Sequence, residues 1–169
     1  MSARIEKYPG HEVSLDDIRK LSVTDYKVDL EYAWSTGVAL RRFLKELAKG
    51  KIIGRKCLKC KRVLVPPRMF CEQCFRPTDS WELLKDTGRV NTYSISYVAA
   101  DASRLKKPII DAVIEIDGAS PGMGFLHLLG EVKHENVRVG MKVKAVWKPE
   151  KERTGAITDI LYYKPLNGR

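Results

Sequence analysis

The sequence predicts a mainly β fold with N-terminal helices, in which a short metal-binding ribbon precedes a small closed barrel. Three observations predict it. All four cysteines fall in "CLKCKRVLVPPRMFCEQC" (57–74) as two Cys-x-x-Cys pairs. Five strand-like runs bounded by turn residues follow between residues 89 and 164. Helical periodicity is confined to the region before Gly50. A chain of 169 residues with 44% hydrophobic and 31% charged residues can bury one or two small cores.

The opening "MSARIEKYPGHEV" carries charges with no apolar segment behind them, and no run of 18 apolar residues follows. The expectation is a soluble, cytoplasmic chain with no membrane partner. "SLDDIRKL" (14–21) places Ser14 and Asp17 in capping-box spacing over Leu15, Ile18 and Leu21, which predicts one or two helical turns. "YKVDLEYAWS" (26–35) then puts Tyr26, Val28, Leu30, Tyr32 and Trp34 at every second position, an extended arm with one apolar face. Such a face must cover something, either the chain's own barrel or another protein. Residues 36–49 switch to helical period, with Ser35 or Thr36 as cap, Leu40, Phe43, Leu44 and Leu47 on one face, and Gly50 as stop. Arg41, Arg42, Lys45 and Lys49 take the other side. Tyr32, Trp34, Arg41, Arg42 and Lys45 are the candidate partner-contact residues. The expected division is an arm and helix over 1–50, a ribbon over 51–80 and a barrel over 81–169.

Ten residues separate Cys60 from Cys71, so each pair can sit at the tip of a short hairpin and offer two sulfurs to one tetrahedral ion. This is the layout of a rubredoxin-like zinc ribbon with Cys57, Cys60, Cys71 and Cys74 as ligands; iron is the competing metal. A redox Cys-x-x-Cys would need one pair on a βαβ unit, whereas two pairs flank the β-like and turn-like "KRVLVPPRMF". Four protein ligands leave no open position, so the Zn²⁺ is structural. A segment this short folds with its metal. Four thiolates around Zn²⁺ leave two negative charges, which Lys56, Lys59, Lys61 and Arg62 are placed to offset.

The barrel strands are "RVNTYSISYVA" (89–99), "PIIDAVIEID" (108–117), "GFLHLLGEV" (124–132), "MKVKAVWK" (141–148) and "AITDILYYK" (156–164). Five short strands with no long helix favour closure, and a five-stranded OB-fold barrel is the preferred reading over an SH3-like barrel or a small sandwich. The loop "AADASRLKKP" (99–108) sits where OB barrels meet ligands, which makes Arg104, Lys106 and Lys107 candidate phosphate contacts. "GASPGMG" (118–124) lies between two strands and reads as a hairpin loop, not a dinucleotide fingerprint.

The net charge of +10 is localised. Residues 38–70 hold eleven Lys or Arg against the single acid Glu46, and the rest of the chain is balanced. This supports a second reading, a single-stranded nucleic-acid-binding protein with Tyr93 and Tyr97 as a stacking pair. With the thiols committed to metal, His11, His127 and His134 have no motif joining them to a nucleophile, so the chain is read as a non-enzyme.

The order "WSTGVALRRFLKELAKGKIIGRKCLKC", "VPPRMFCEQC", Trp81 and a late "RVGMKV" resembles a family of archaeal and bacterial zinc-ribbon/OB-fold proteins associated with acyl-CoA enzymes, long known as a domain of unknown function. The resemblance covers more than 130 residues. It implies a non-catalytic scaffold subunit that binds a thiolase-fold enzyme. In archaea one member bridges acetoacetyl-CoA thiolase and hydroxymethylglutaryl-CoA synthase of the mevalonate route. The resemblance also implies that coenzyme A is a ligand to test.

Overall fold

The structure, a computed structural model, describes residues 12–21 and 29–166, and the chain divides between Trp34 and Ser35 into two compact units. In the first, α1 (Leu15–Lys20) is capped by Ser14, whose Oγ accepts from the Asp17 backbone N–H at 3.1 Å and donates to the Asp17 carboxylate at 2.6 Å. Acids in its first turn and bases in its last complement the helix dipole. Beyond it Leu30, Tyr32 and Trp34 are exposed, and the Tyr32 and Trp34 rings lie 6.3 Å apart at a 35° tilt. Tyr26, Val28 and His11 lie outside the described residues.

The second unit begins with α2 (Gly37–Ala48). Its buried seam is Ala39, Phe43 and Leu47, a four-residue spacing whose small first member allows close approach. Leu40, expected on this face, points outward instead, 39% exposed. The Thr36 side chain makes no capping bond, while Ser35 Oγ accepts weakly from Gly37 N–H at 3.4 Å. At the other end Gly50 N–H donates to Leu47 C=O and Lys51 N–H to Glu46 C=O, with Gly50 at φ 70°, a Schellman stop that glycine adopts without strain.

The ribbon sheet has β1 (Ile52–Lys56) at its centre, β2 (Val63–Leu64) on one side and β5 (Ser80–Leu84) on the other, all antiparallel. A second small hairpin joins β3 (Phe70–Cys71) to β4 (Arg76–Pro77). Two guanidinium groups lie over the ring of Trp81 of β5, Arg42 of α2 at 4.4 Å and Arg55 of β1 at 4.7 Å from the ring centroid.

The barrel consists of β6 (Thr87–Val98), β7 (Arg104–Ile116), β8 (Gly124–Leu128), β9 (Lys142–Trp147) and β10 (Ile160–Pro165), in the order β10-β9-β6-β7-β8. A parallel bridge between Leu129 and Tyr163 closes it, with Gly130 N–H donating to Tyr163 C=O at 2.9 Å. That topology is the OB fold. Close approach of strands at the bend requires glycine at 124, where a Cβ would fall 1.8 Å from the Ile114 carbonyl oxygen. Phe43 and Leu47 of α2, Ile52 and Val65 of the ribbon, and Val90, Ile114, Val143 and Tyr163 of the barrel all belong to one core. Phe43 meets Phe125 edge to face at 6.3 Å.

The β6–β7 hairpin runs further than its apolar pattern suggests. Pairing continues to Val98 opposite Arg104, beyond the reach of β8, which meets β7 only over Asp111–Glu115. Arg104, Lys106 and Lys107 therefore stand on strand β7 and not in the expected loop. Their polarity concealed the strand because both faces of this two-stranded projection are solvated.

Between β9 and β10, residues 148–159 fold back on α2 around Asp159. This fully buried carboxylate accepts from the backbone N–H groups of Thr154, Gly155 and Ala156 at 3.0, 2.7 and 3.2 Å. Burial opposes its charge, but the three N–H donors, helped by the Lys148 charge, hold its carboxyl below the ordinary 3.8. Asp159→Asn is expected to cost about 1–3 kcal/mol in denaturant unfolding at pH 7. Because the native pKa is depressed, this contribution is fully present above the unfolded value and fades as pH falls below it. The gap between native and variant should therefore narrow in acid. Tyr163 presents the opposite case, a fully buried hydroxyl with no partner among the described residues, its pKa pushed up by burial and by the Asp86 charge. Tyr163→Phe should raise stability by roughly 1 kcal/mol in the same assay, since it removes an unpaid desolvation.

Candidate metal centre

Local backbone geometry, rather than side-chain bulk, brings the four cysteines together. In the first knuckle the Cys57 N–H donates to Arg62 C=O at 2.9 Å, and the backbone N–H groups of Cys60 and Lys59 turn toward the Cys57 sulfur. In the second, Phe75 N–H donates to Cys71 C=O at 2.9 Å. Lys61 and Phe75, each following a second cysteine, both take left-handed backbone at φ 64° and 49°. The two turns are thus equivalent and face each other.

The four ligand sulfurs all lie within 4.8 Å of one another, with Cys60 and Cys71 at 3.5 Å. Sulfurs held tetrahedrally at about 2.3 Å from an ion stand roughly 3.8 Å apart, so the cluster has the size of a Zn²⁺ cage and is far too open for disulfides. Cys57 and Cys71 are buried, Cys60 and Cys74 half-buried. Without metal the thiols compete for charge. Hydrogen bonds, chiefly from the Cys60 N–H, lower Cys57 to about 7, while burial and the neighbouring sulfurs raise Cys74 to about 12. A divalent cation resolves that competition by holding all four as thiolates.

A hydrogen-bonded frame holds the cage. Asp79 accepts from Leu58 N–H at 2.7 Å, and its own N–H donates to Lys56 C=O at 2.8 Å, which ties the first knuckle to the strand β5 region. Thr78 is buried; its hydroxyl donates to Arg68 C=O and accepts from Arg55 Nε, both at 2.8 Å, and Arg55 also bonds the Thr78 carbonyl. Ser120 Oγ accepts from Val63 N–H at 2.9 Å and Ser120 N–H donates to Val63 C=O at 3.0 Å, which fastens the ribbon to the β7–β8 loop. Sequence reasoning missed all three. Ser120 sits inside the glycine-rich hairpin, and only its pairing across 57 residues gives it a role.

Two of the cations expected to offset the thiolates, Lys56 and Arg62, have other partners too. Lys56 pairs with Glu82 at 3.6 Å, and both Arg62 and Arg68 reach Glu72. Glu72's own N–H and the Arg62 charge keep its carboxyl below the usual range. Among the partner-contact candidates, Arg42 lies on Trp81, while Arg41 and Lys45 line an open cleft of about 390 Å³ with Lys49 and Thr154. Lys107 lines a separate cleft of about 360 Å³ with Lys133 and His134. Arg104 and Lys106 lie outside it, on the same strand.

Native mass spectrometry should show one zinc per chain. Cys71→Ser should lose that zinc together with the ribbon's amide-exchange protection, since a structural site of this type contributes on the order of 10 kcal/mol to folding.

Residues 44–80 match the family model described as the rubredoxin-like zinc ribbon domain of ChsH2, and residues 81–148 match that of the ChsH2 C-terminal OB-fold domain. A DUF35 domain-containing scaffold protein of Methanocaldococcus jannaschii is 34% identical over 118 residues, covering 68% of this chain and 82% of the relative. One of the same description from Methanothermobacter thermautotrophicus is 26% identical over 117 residues, covering 68% and 86%. Among solved structures, a DUF35-family protein of unknown function from Sulfolobus solfataricus aligns with a TM-score of 0.56 at 35% identity, over 66% of this chain and 79% of that one. The Ltp2-ChsH2(DUF35) aldolase aligns with a TM-score of 0.52 at 20% identity, over 74% and 93%, and shows the shared fold. Matched in both domains and at this identity to a curated relative, the chain belongs to the DUF35 family of zinc-ribbon and OB-fold proteins.

Proposed function

We propose that this chain is a non-catalytic scaffold subunit of a thiolase-type acyl-CoA enzyme complex, with acetoacetyl-CoA thiolase and hydroxymethylglutaryl-CoA synthase as the preferred partners and the cytoplasm as its place. The observation that carries the reading is the 34% identity to a curated scaffold protein over most of both chains. The metal site agrees with a structural role: four thiolates close the coordination sphere and leave no position for water or substrate. Exposed Tyr32 and Trp34 of the arm, together with Arg41 and Lys45 of α2, are proposed to contact a partner. The cleft lined by Lys107, Lys133, His134 and Glu135 is the proposed place for the phosphates of coenzyme A, with Arg104 and Lys106, further along the same strand, as further candidate contacts.

The nucleic-acid reading loses much of its support when the charges are located. Of the eleven cations in 38–70, Arg42 and Arg55 stack on Trp81, and Lys49, Lys56, Arg62 and Arg68 are paired to Glu46, Glu82 and Glu72. The decisive experiment is reconstitution. Each thiolase-fold enzyme of the source genome is mixed with the purified chain at about 10 μM in physiological salt, near the weak end of specific association. A co-eluting complex on size exclusion with light scattering is the expected result. Separate elution with every one of them, combined with steeply salt-dependent binding to a single-stranded oligonucleotide, would reverse the assignment.

A further inference from the structure

At the metal end of the ribbon, side chains that water should reject are held outward. Phe75 is 90% exposed and sits at φ 49°, a left-handed conformation that costs a bulky residue strain and that glycine adopts freely. Neither folding nor metal binding calls for a phenyl ring there, because the ring is in solvent and the turn would be easier without it. Phe70, beside Cys71, is 63% exposed, and Leu58, beside Cys57, is 49% exposed. Each of these three is the immediate neighbour of a cysteine ligand, so all three are presented around one metal cage only a few ångströms across. Met69 adds a fourth apolar side chain next to Phe70.

The metal makes this cluster rigid, and rigid aromatic anchors lose little entropy on docking. Lys59 and Lys61 stand in the first knuckle with no ion pair among the described residues, while Glu72 of the second knuckle is met by Arg62 and Arg68, and Asp79, which follows β4, by Arg76. Five cations against two carboxylates and the two negative charges of the zinc tetrathiolate leave a mixed rim with a small positive excess. Such a rim suits a protein surface with an acidic border better than an anionic bilayer, which the carboxylates would oppose.

We infer that the zinc-knuckle tip, with Phe75 and Phe70 as anchors, is a docking knob that inserts into an apolar pocket with an acidic rim on the enzyme this chain scaffolds. The inference rests on the scaffold reading and adds a contact surface separate from the arm and α2 residues proposed there. Its test has two independent parts. In the isolated chain Phe75→Gly should keep its zinc and melt at the same temperature or higher, because the strained turn relaxes; a lowered melting temperature would make Phe75 a folding residue and overturn the knob. With the thiolase-fold enzyme that co-elutes with the native chain, Phe75→Gly and Phe70→Ser should each weaken binding at least about tenfold. Leu126→Ser, an exposed leucine on β8, should leave it unchanged. Native-like affinity in both knob variants would sink this proposal while leaving the scaffold intact, whereas an unbound native chain would sink both. Phe75-dependent self-association in sedimentation, or Phe75-dependent binding to phosphatidylserine vesicles, would reassign the knob and likewise overturn it.

Discussion

Four sulfurs around one ion are the constraint on which the remainder of the molecule rests. The strands that carry the knuckles are two residues long at β2, β3 and β4, and strands of that length bury far too little apolar area to offset the entropy of ordering the turns between them. The metal closes those loops instead. Once the knuckles are fixed, Thr78 and Asp79 fall where they can bond β1 and the first knuckle, Arg55 is drawn into a buried position beside Thr78, and its guanidinium lies over the Trp81 ring. Arg42 of α2 lies over the same ring. Metal geometry is thereby passed through five side chains to the helix, and from the helix to the barrel through Phe43 and Phe125.

Locating the charges changes what they mean. A formal excess of +10 in one segment looks like a footprint for phosphate when only composition is known. In the folded chain two of those cations are stacking partners and four more have carboxylates. The loops tell the same story. OB barrels that read nucleic acid use the connections after the first strand and before the last. Here the latter is anchored inward: Asp159 occupies its amides, Gly155 lies against the Leu44 carbonyl, and Arg153 covers Trp147 beside Gly50. A loop fastened to α2 in this way is part of the core's lid and has little freedom to close on a ligand.

What could be read from the sequence, and what could not, follows from the range of the interactions. The cysteine spacing, the helix over 36–49 with its glycine stop, and the five barrel strands are local patterns, and each has its counterpart in the structure. The OB topology was also legible, because five short strands without a covering helix leave closure as the way to remove edges. Long-range features were not legible. Ala39 replaces Leu40 on the buried seam because the groove beneath α2 is shaped by strands far along the chain. Ser120 and Asp159 look like ordinary loop residues until the fold brings Val63 and the amides of 154–156 to them. Arg104, Lys106 and Lys107 read as loop because strand pairing outside the barrel leaves no apolar face to mark it.

The shared core has a consequence for how such a chain could hold others together. Two small domains joined by a linker would be expected to reorient, and any complex bridging them would have to freeze that motion on binding. Ribbon, α2 and barrel here contribute to one hydrophobic cluster, and the Ser120–Val63 bonds and the Lys85–Asp117 bond cross between ribbon and barrel from both sides. Surfaces on the knuckle tip and on the projecting β6–β7 hairpin are therefore held at a fixed relation within this unit. A fixed relation is what separates a body that sets the geometry between partners from one that merely tethers them, and in this chain it comes from burying Phe43, Leu47, Ile52 and Val65 against a barrel that could have closed without them.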